Sequence, residues 1–405
     1  MKKKILLCSI LCLLFLIAGC SAAEKNTGKN ETATQPAAEN WNTEKGIREL
    51  SAALTEKMSL EEKIGQMMFV GIHGTTLTEE TKSVLSSMHV GGVILFDRNM
   101  EKREQVQALN ASVQSLKLNG FSIPLFLSVD QEGGLVTRMK HDAYTAPSAA
   151  EIGKGKPEDA YRHANKTGID IKELGFNLDF APVLDTGNRM RGRTYGATPP
   201  QVALFGEQAC RGLRDSGVLF TIKHFPGMGR SETDPHTEKS VVNVSRETIL
   251  QEDLQPFRQI IDQYPHDQFM VMAGHIRYPA FDTKPASLSP VILKDLLRNQ
   301  LGYRGVVITD DLNMGAVSEG YSPEEIGIIA IQAGSDILLS CHDPQIQQRT
   351  YKSVVQAVKD GKISQSEINA SVQRILYCKL KNLMSTQQRK AVYEQIKTNS
   401  VTSKQ

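Results

Sequence analysis

Lys223-His224-Phe225-Pro226-Gly227-Met228-Gly229-Arg230 runs directly into Ser231-Glu232-Thr233-Asp234-Pro235-His236, so that lysine, aspartate and two histidines crowd one short stretch. A carboxylate two residues from an imidazole, as Asp234 is from His236, can orient the ring and stabilise its charged form. The result is a proton donor and acceptor that works near neutral pH. Gly227 and Gly229 permit a backbone path that side chains would block. The same residues also fit a solvated surface loop, or a metal site built from His224, Asp234 and His236. The metal site lacks the second cluster of acids or histidines that such centres need. Gly227-x-Gly229 is too little for a dinucleotide site, and no Gly-Lys-Ser/Thr follows it. No metal and no cofactor are therefore expected.

Such groups need a scaffold, and short apolar runs supply one. They are Met67–Gly71, Gly92–Phe96, Pro124–Asp130, Phe176–Asp185, Leu219–His224, Phe269–His275, Gly305–Asp310 and Ser335–Ser340. Continuous apolar runs suit parallel strands buried on both faces. Helix starts fall between them. Ser59-Leu60-Glu61-Glu62 is a capping box, Thr198-Pro199 places proline at a first helical position, and Ser322-Pro323-Glu324-Glu325 combines cap, proline and capping glutamate. Ser364–Glu367 opens a helix with Ile368, Val372, Ile375 and Leu376 on one face. Strand and helix alternating eight times predict an α/β fold, a (β/α)8 TIM barrel forming a single catalytic domain. The rival is a doubly wound sheet. Polar residues gather where the strands end: Asp97-Arg98-Asn99, Asp130-Gln131-Glu132, Asp185, Lys223-His224, His275 and Asp310-Asp311. Barrel active sites lie at those ends.

These segments together resemble the family-3 glycoside hydrolases, in particular the bacterial β-N-acetylglucosaminidases of peptidoglycan turnover. The family pattern Lys-His-Phe-x-Gly-His-Gly, then Asp-Ser-His four residues on, matches the spacing from Lys223 to Asp234 and His236. Gly305-Val-Val-Ile-Thr-Asp310-Asp311-Leu312-Asn313-Met314 is similar to the nucleophile strand. Val129-Asp130-Gln131-Glu132-Gly133-Gly134 with Arg138, and Gly192-Arg193-Thr194-Tyr195-Gly196, are similar to the sugar-binding segments. Met58–Met67 and Gly91–Phe96 also read like the family, and the likeness runs from about residue 55 to 385. It implies Asp310 as nucleophile and the Asp234–His236 pair as acid/base, with Asp130, Arg138, Arg193, Lys223 and His224 gripping the sugar. Asp311 and His275 are either supporting or structural. The implied activity is retaining, exo-acting hydrolysis of terminal β-linked N-acetylglucosamine from cell-wall fragments through a covalent glycosyl-aspartate. The alternatives are a phosphorylase or β-glucosidase on the same scaffold, or a lipoprotein that binds muropeptide without catalysis. Three departures bear on substrate preference: Met228 where the family has His or Lys, Pro235 in place of Ser, and Leu135 where Arg is common.

The chain ends carry addressing rather than chemistry. Lys2, Lys3 and Lys4 precede an apolar stretch, Ile5 to Ile17, too short for a comfortable membrane span. Ile17-Ala18-Gly19-Cys20 then resembles the bacterial lipoprotein signal, with lipidation at Cys20. The expected organisation is a signal peptide over 1–19, a lipidated Cys20 and flexible tether over 20–43, the barrel over 44–385 and a polar, frayed tail over 386–405. The implied location is extracytoplasmic, anchored to the bacterial cell membrane through the N-terminal lipid only. The formal charge of +2 becomes about −1 once three lysines are cleaved, leaving 44 basic against 45 acidic residues. No basic stripe stands out, so nucleic acid is not an expected partner; a carbohydrate is. Cys210, Cys341 and Cys378 are too scattered for zinc or a disulfide framework and read as small buried hydrophobes.

Overall fold

The computed structural model describes residues 41–118, 120–187, 189–231 and 240–402. Cys20, Asp234, Pro235 and His236 lie outside the described residues. Ten strands are described: β1 (Met68–Gly71), β2 (Gly92–Ile94), β3 (Phe126–Val129), β4 (Gln131–Gly133), β5 (Val136–Thr137), β6 (Leu178–Asp179), β7 (Leu219–Phe225), β8 (Phe269–Ala273), β9 (Val306–Thr309) and β10 (Leu338–Ser340). Eight of them form one parallel sheet in the order β10-β1-β2-β3-β6-β7-β8-β9. A further parallel bridge, Ile308 to Ile337, joins the last strand back to the first. The sheet is thus a closed (β/α)8 barrel and not a doubly wound sheet. Each predicted apolar run matches one barrel strand, β7 alone extending a residue past its run, and the strand residues are buried without alternation, as closure inside a helical shell requires.

The helix starts form as their sequences dictate. Glu62 N donates to Ser59 Oγ at 3.1 Å while Ser59 N donates to the Glu62 carboxylate at 2.9 Å. Ser322 N and Oγ both donate to the Glu325 carboxylate, at 3.0 and 2.8 Å, and Pro199 begins the helix Pro199–Ser216. The helix Gln365–Asn382, capped by Ser364, buries Ile368, Val372, Ile375 and Leu376. It runs beneath the strand beginnings, where Lys379 Nζ donates to Gln66 Oε1 at 2.8 Å and to Gly91 O at 2.7 Å.

The C-terminal segment differs from its expectation. In place of a frayed tail, Thr386–Thr402 is a helix that buries Val392, Tyr393 and Ile396. Trp41 packs on Tyr393 with ring centroids 4.5 Å apart. Arg389 is buried, its guanidinium donating to the carbonyls of Trp41 and Leu380, each at 2.8 Å. The surplus of Lys and Gln conceals an apolar stripe at helical spacing, and tertiary contact with Trp41 makes that stripe sufficient. This helix and Trp41 sit at the floor. Ser122, just before β3, contacts Gln395, and Asp267, just before β8, pairs with Lys381 on the adjoining helix. The described residues therefore begin, at Trp41, at the end of the barrel opposite the strand C-termini. Among the described residues, no helix is long and apolar enough to cross a membrane.

Candidate active site

The C-terminal ends of the strands surround a cavity of about 1060 Å³. Asp130, Glu132, Arg138, Arg193, Lys223, His224, Asp310 and Asp311 all line it. Every described residue predicted to act on a sugar therefore faces one space. Ser231, three residues before Asp234 in sequence, lines it as well.

One wall is an ionic network. Lys223, at the end of β7 and only 2% exposed, places Nζ 2.7 Å from Asp130 Oδ1 and 2.7 Å from Glu132 Oε1. Arg138 reaches the other Asp130 oxygen at 3.2 Å. Arg193 grips Glu132 in a bidentate pair, at 2.8 and 2.7 Å. Burial opposes charge on Asp130, but Lys223 and Arg138 outweigh it and hold the carboxyl below its usual range. Burial also opposes charge on Glu132, yet Lys223 and Arg193 bring it down to about 2. The same carboxylates overcome burial to keep Lys223 protonated. Asp130, Glu132 and Lys223 thus stay charged in a partly desolvated wall, where directed hydrogen bonds discriminate strongly.

The local fold explains how Arg138 reaches Asp130. β4 and β5 form a hairpin turned at Gly133 and Gly134, with φ of +96° and +54°. A Cβ on Gly133 would lie 2.6 Å from Pro147 O, so glycine is required there. Gln131 Oε1 accepts from Arg138 N at 2.9 Å and Met139 N at 3.2 Å, pinning the returning strand. Leu135, 66% exposed, stands at the hairpin turn and lines the cavity rim.

His224 is held from behind. Its Nδ1 lies 2.7 Å from a fully buried Asp185 oxygen, and the other Asp185 oxygen accepts from Met228 N at 2.7 Å. The carboxylate requires the ring proton on Nδ1, which leaves Nε2 to accept from Arg193 Nη2 at 3.5 Å. Both ring nitrogens therefore face protein partners. The glycines behave as their spacing implied: Gly227 has φ +116°, and a Cβ on Gly229 would lie 1.7 Å from Thr186 O.

The opposite wall carries the acid pair at the end of β9. Asp310 N donates to Ala273 O at 2.9 Å, and Asp310 Oδ1 accepts from Asp311 N at 2.8 Å. Asp311 accepts from Asn313 N at 3.1 Å and Cys341 N at 3.0 Å. His275 is fully buried and bonds Ser287 Oγ at 2.7 Å and Asp311 O at 2.9 Å. It therefore supports the backbone of the acid pair and does not face the cavity. Sequence reading assigned no role to Glu132, Asp185, Gln131, Arg98 or His342. Gln131, Glu132, Asp185 and Arg98 carried a signal as polar residues at strand ends, whereas His342 carried none. Cys210, Cys341 and Cys378 are buried free thiols.

The family model for the glycosyl hydrolase family 3 N-terminal domain matches residues 59–378. This chain belongs to glycosyl hydrolase family 3. It is 37% identical over 293 residues to a β-hexosaminidase of Nitrosomonas eutropha, covering 68% of this chain and 82% of that one. It is 32% identical over 336 residues to β-hexosaminidase A of Pseudoalteromonas piscicida, covering 76% of this chain. A solved family 3 β-N-acetylglucosaminidase from Paenibacillus sp. str. FPU-7 superposes with a TM-score of 0.76 at 36% identity, over 83% of this chain. The family 3 chain described here spans only 56% of the Pseudoalteromonas protein and 63% of the Paenibacillus chain.

Proposed function

We propose that the protein is a retaining exo-β-N-acetylglucosaminidase that releases terminal β-linked N-acetylglucosamine from cell-wall fragments. One observation carries the reading: a single cavity at the barrel mouth places Asp310 on one wall and the Asp130–Arg138–Lys223–Glu132–Arg193 network on another. Relatives named β-hexosaminidase and β-N-acetylglucosaminidase support the choice of sugar. In this mechanism Asp310 attacks the anomeric carbon, forming a glycosyl-aspartate as the glycosidic bond breaks. His236 gives its proton to the leaving oxygen and then takes one from the water that cleaves the intermediate. Asp234 orients that ring and favours its charged form. Two carboxylates fill these roles in most retaining enzymes. An imidazole with an ordinary pKa of about 6.5 suits both halves of the cycle. Asp130, Arg138, Arg193, Lys223 and His224 hold the sugar.

The test compares Asp310→Ala with His236→Ala on a nitrophenyl N-acetylglucosaminide. Removal of the nucleophile should lower kcat on the order of 10⁴-fold or more. His236→Ala should be impaired about 10²–10⁴-fold on natural sugars and less on the activated one, accumulate glycosyl-enzyme and respond to azide. An adduct on any residue but Asp310, or equal loss on both substrates, overturns the assignment. Turnover that requires inorganic phosphate would make the enzyme a phosphorylase.

The location proposed is the outer face of the cell membrane, through lipid on Cys20. Cys20→Ser protein that still carries fatty acid and fractionates unchanged would refute the anchor.

A further inference from the structure

We propose that Arg98 and His342 are positioning residues for the nucleophile: the Nε2–H of His342 faces Asp311 as a hydrogen-bond donor and favours the ionised form of that carboxylate beside Asp310. The inference rests on the reading of Asp310 as nucleophile. His342 follows β10 and lines the cavity, and Arg98 follows β2 on the same wall. Arg98 Nη1 lies 3.3 Å from His342 Nδ1. A guanidinium only donates, so Nδ1 is the accepting nitrogen and the ring proton sits on Nε2. Nε2 is 3.3 Å from Asp311 Oδ2. Arg98 is itself fixed, donating to Cys341 O at 2.7 Å and to Ile72 O at 3.3 Å, and stacking over Phe96. His73 Nε2 meets His342 O at 2.6 Å and ties down the backbone. One Asp311 oxygen is occupied by the Asn313 and Cys341 amides, which leaves Oδ2 for His342.

The arrangement bears on the reaction through charge. Asp311 N donates to Asp310 Oδ1 at 2.8 Å, so the two carboxyl groups are neighbours. Positive charge builds on the sugar as the glycosidic bond breaks, and a second fixed anion beside the nucleophile stabilises it. Asp311 is faced by Asp310, His275, Cys341 and His342. His342 is faced by Arg98, His73, Arg138 and Asp311. Burial pushes the Asp311 carboxyl up to about 6 against its two amide bonds, and Asp310 adds to the rise. Burial, then Arg98, His73 and Arg138, lower His342, which keeps it a neutral donor. Burial thus places the loss of charge on Asp311 at about 6. A hydrogen bond from His342 to the ionised form would hold that point down, so on this proposal removal of the donor moves it upward.

The experiment measures kcat and KM against pH on a nitrophenyl N-acetylglucosaminide for the wild type, His342→Ala, His342→Asn and Asp311→Asn. In His342→Ala the acid limb of kcat should move up by about 0.5–1 pH unit, with kcat near pH 6 about three- to tenfold lower and KM within about twofold. His342→Asn, whose amide can donate without titrating, should restore the limb, and Asp311→Asn should flatten it. An unmoved limb, a loss confined to KM, or His342→Asn as impaired as His342→Ala would overturn the proposal. Imidazole ¹⁵N spectra of the wild type and Arg98→Met supply a readout independent of turnover. They should show the Nε2–H form of His342 in the wild type and its loss in Arg98→Met. The Nδ1–H or charged form at neutral pH in the wild type overturns the proposal. Absent wild-type turnover with the Nε2–H form present would instead count against the glycosidase reading alone.

Discussion

Two ionic clusters sit at opposite ends of this barrel and are built differently. At the floor, the fully buried Asp336 accepts from Arg298 at 2.7 Å, Arg374 at 3.0 and 2.7 Å, Ser371 at 2.8 Å and Val307 N at 2.9 Å. Burial opposes its charge, but Arg374 and Arg298 prevail and keep the carboxyl below its usual range. These bonds join β9, β10 and two helices where the barrel closes. At the mouth, Asp130 and Glu132 are paired just as firmly, but the network borders an open cavity and holds its cations towards it. The floor cluster is enclosed and serves closure. The mouth cluster retains a face for a ligand's hydroxyls, so its charges are organised before the ligand arrives.

That contrast can be broken experimentally, with the floor giving the larger effect. Asp336→Asn leaves two arginines without their buried anion and should cost about 3–5 kcal/mol. Urea unfolding followed by circular dichroism measures it, and kcat/KM of the protein that remains folded should hold. A stable variant with lost activity would mean that the floor cluster acts on the site.

Asp130→Ala should show the reverse pattern. Loss of charge-assisted bonds to sugar hydroxyls costs about 1.5–3 kcal/mol, so kcat/KM should fall roughly ten- to a hundredfold. Stability should fall less than in Asp336→Asn, because Lys223 keeps Glu132 at 2.7 Å. Steady-state kinetics with the same urea series decides, and an unchanged kcat/KM would place Asp130 outside the sugar site.

Lys379 sharpens the comparison with a smaller effect. It is a floor cation bonded to two neutral oxygens, and burial brings its amine down to about 7. An unfolded lysine titrates near 10.4. Between those values the unfolded chain binds the proton and the folded chain does not, so stability from this group rises with pH above about 7. Below about 7 both states are protonated and the full burden of the buried charge remains. Lys379→Met should abolish a rise of about 2 kcal/mol between pH 7 and 9. Equal pH slopes for the two proteins would show that Lys379 is charged in the fold throughout.

How much of this was legible in the sequence depends on whether the informative neighbours are close along the chain. The eight strands and the Ser59, Ser322 and Ser364 caps were legible because apolar runs and capping partners lie within a few residues of each other. Asp130, Arg138, Arg193, Lys223, His224 and Asp310 were recognisable from family-like motifs, and their convergence on one cavity followed from their being placed at strand ends. The hairpin at Gly133-Gly134 was not predicted, since Gln131 fixes it through contacts that no periodicity records. The helix over Thr386–Thr402 was missed because its lysines outweighed an apolar stripe that needs Trp41 to cover it.

The sequence by itself determined the alternation of strand and helix, the residue types at the strand ends and the family. These are local or motif-borne properties, set by propensity, capping and spacing. Only the tertiary structure decided that Lys223 bridges Asp130 and Glu132, that Asp185 sets the proton on His224, and that Arg98 meets His342 within 3.3 Å and His342 lies 3.3 Å from Asp311. In each case the partners lie tens to hundreds of residues apart, and barrel closure alone brings them within hydrogen-bonding distance. Charges that sequence reading could count but not pair acquire a protonation state and a direction only once burial and neighbours are known.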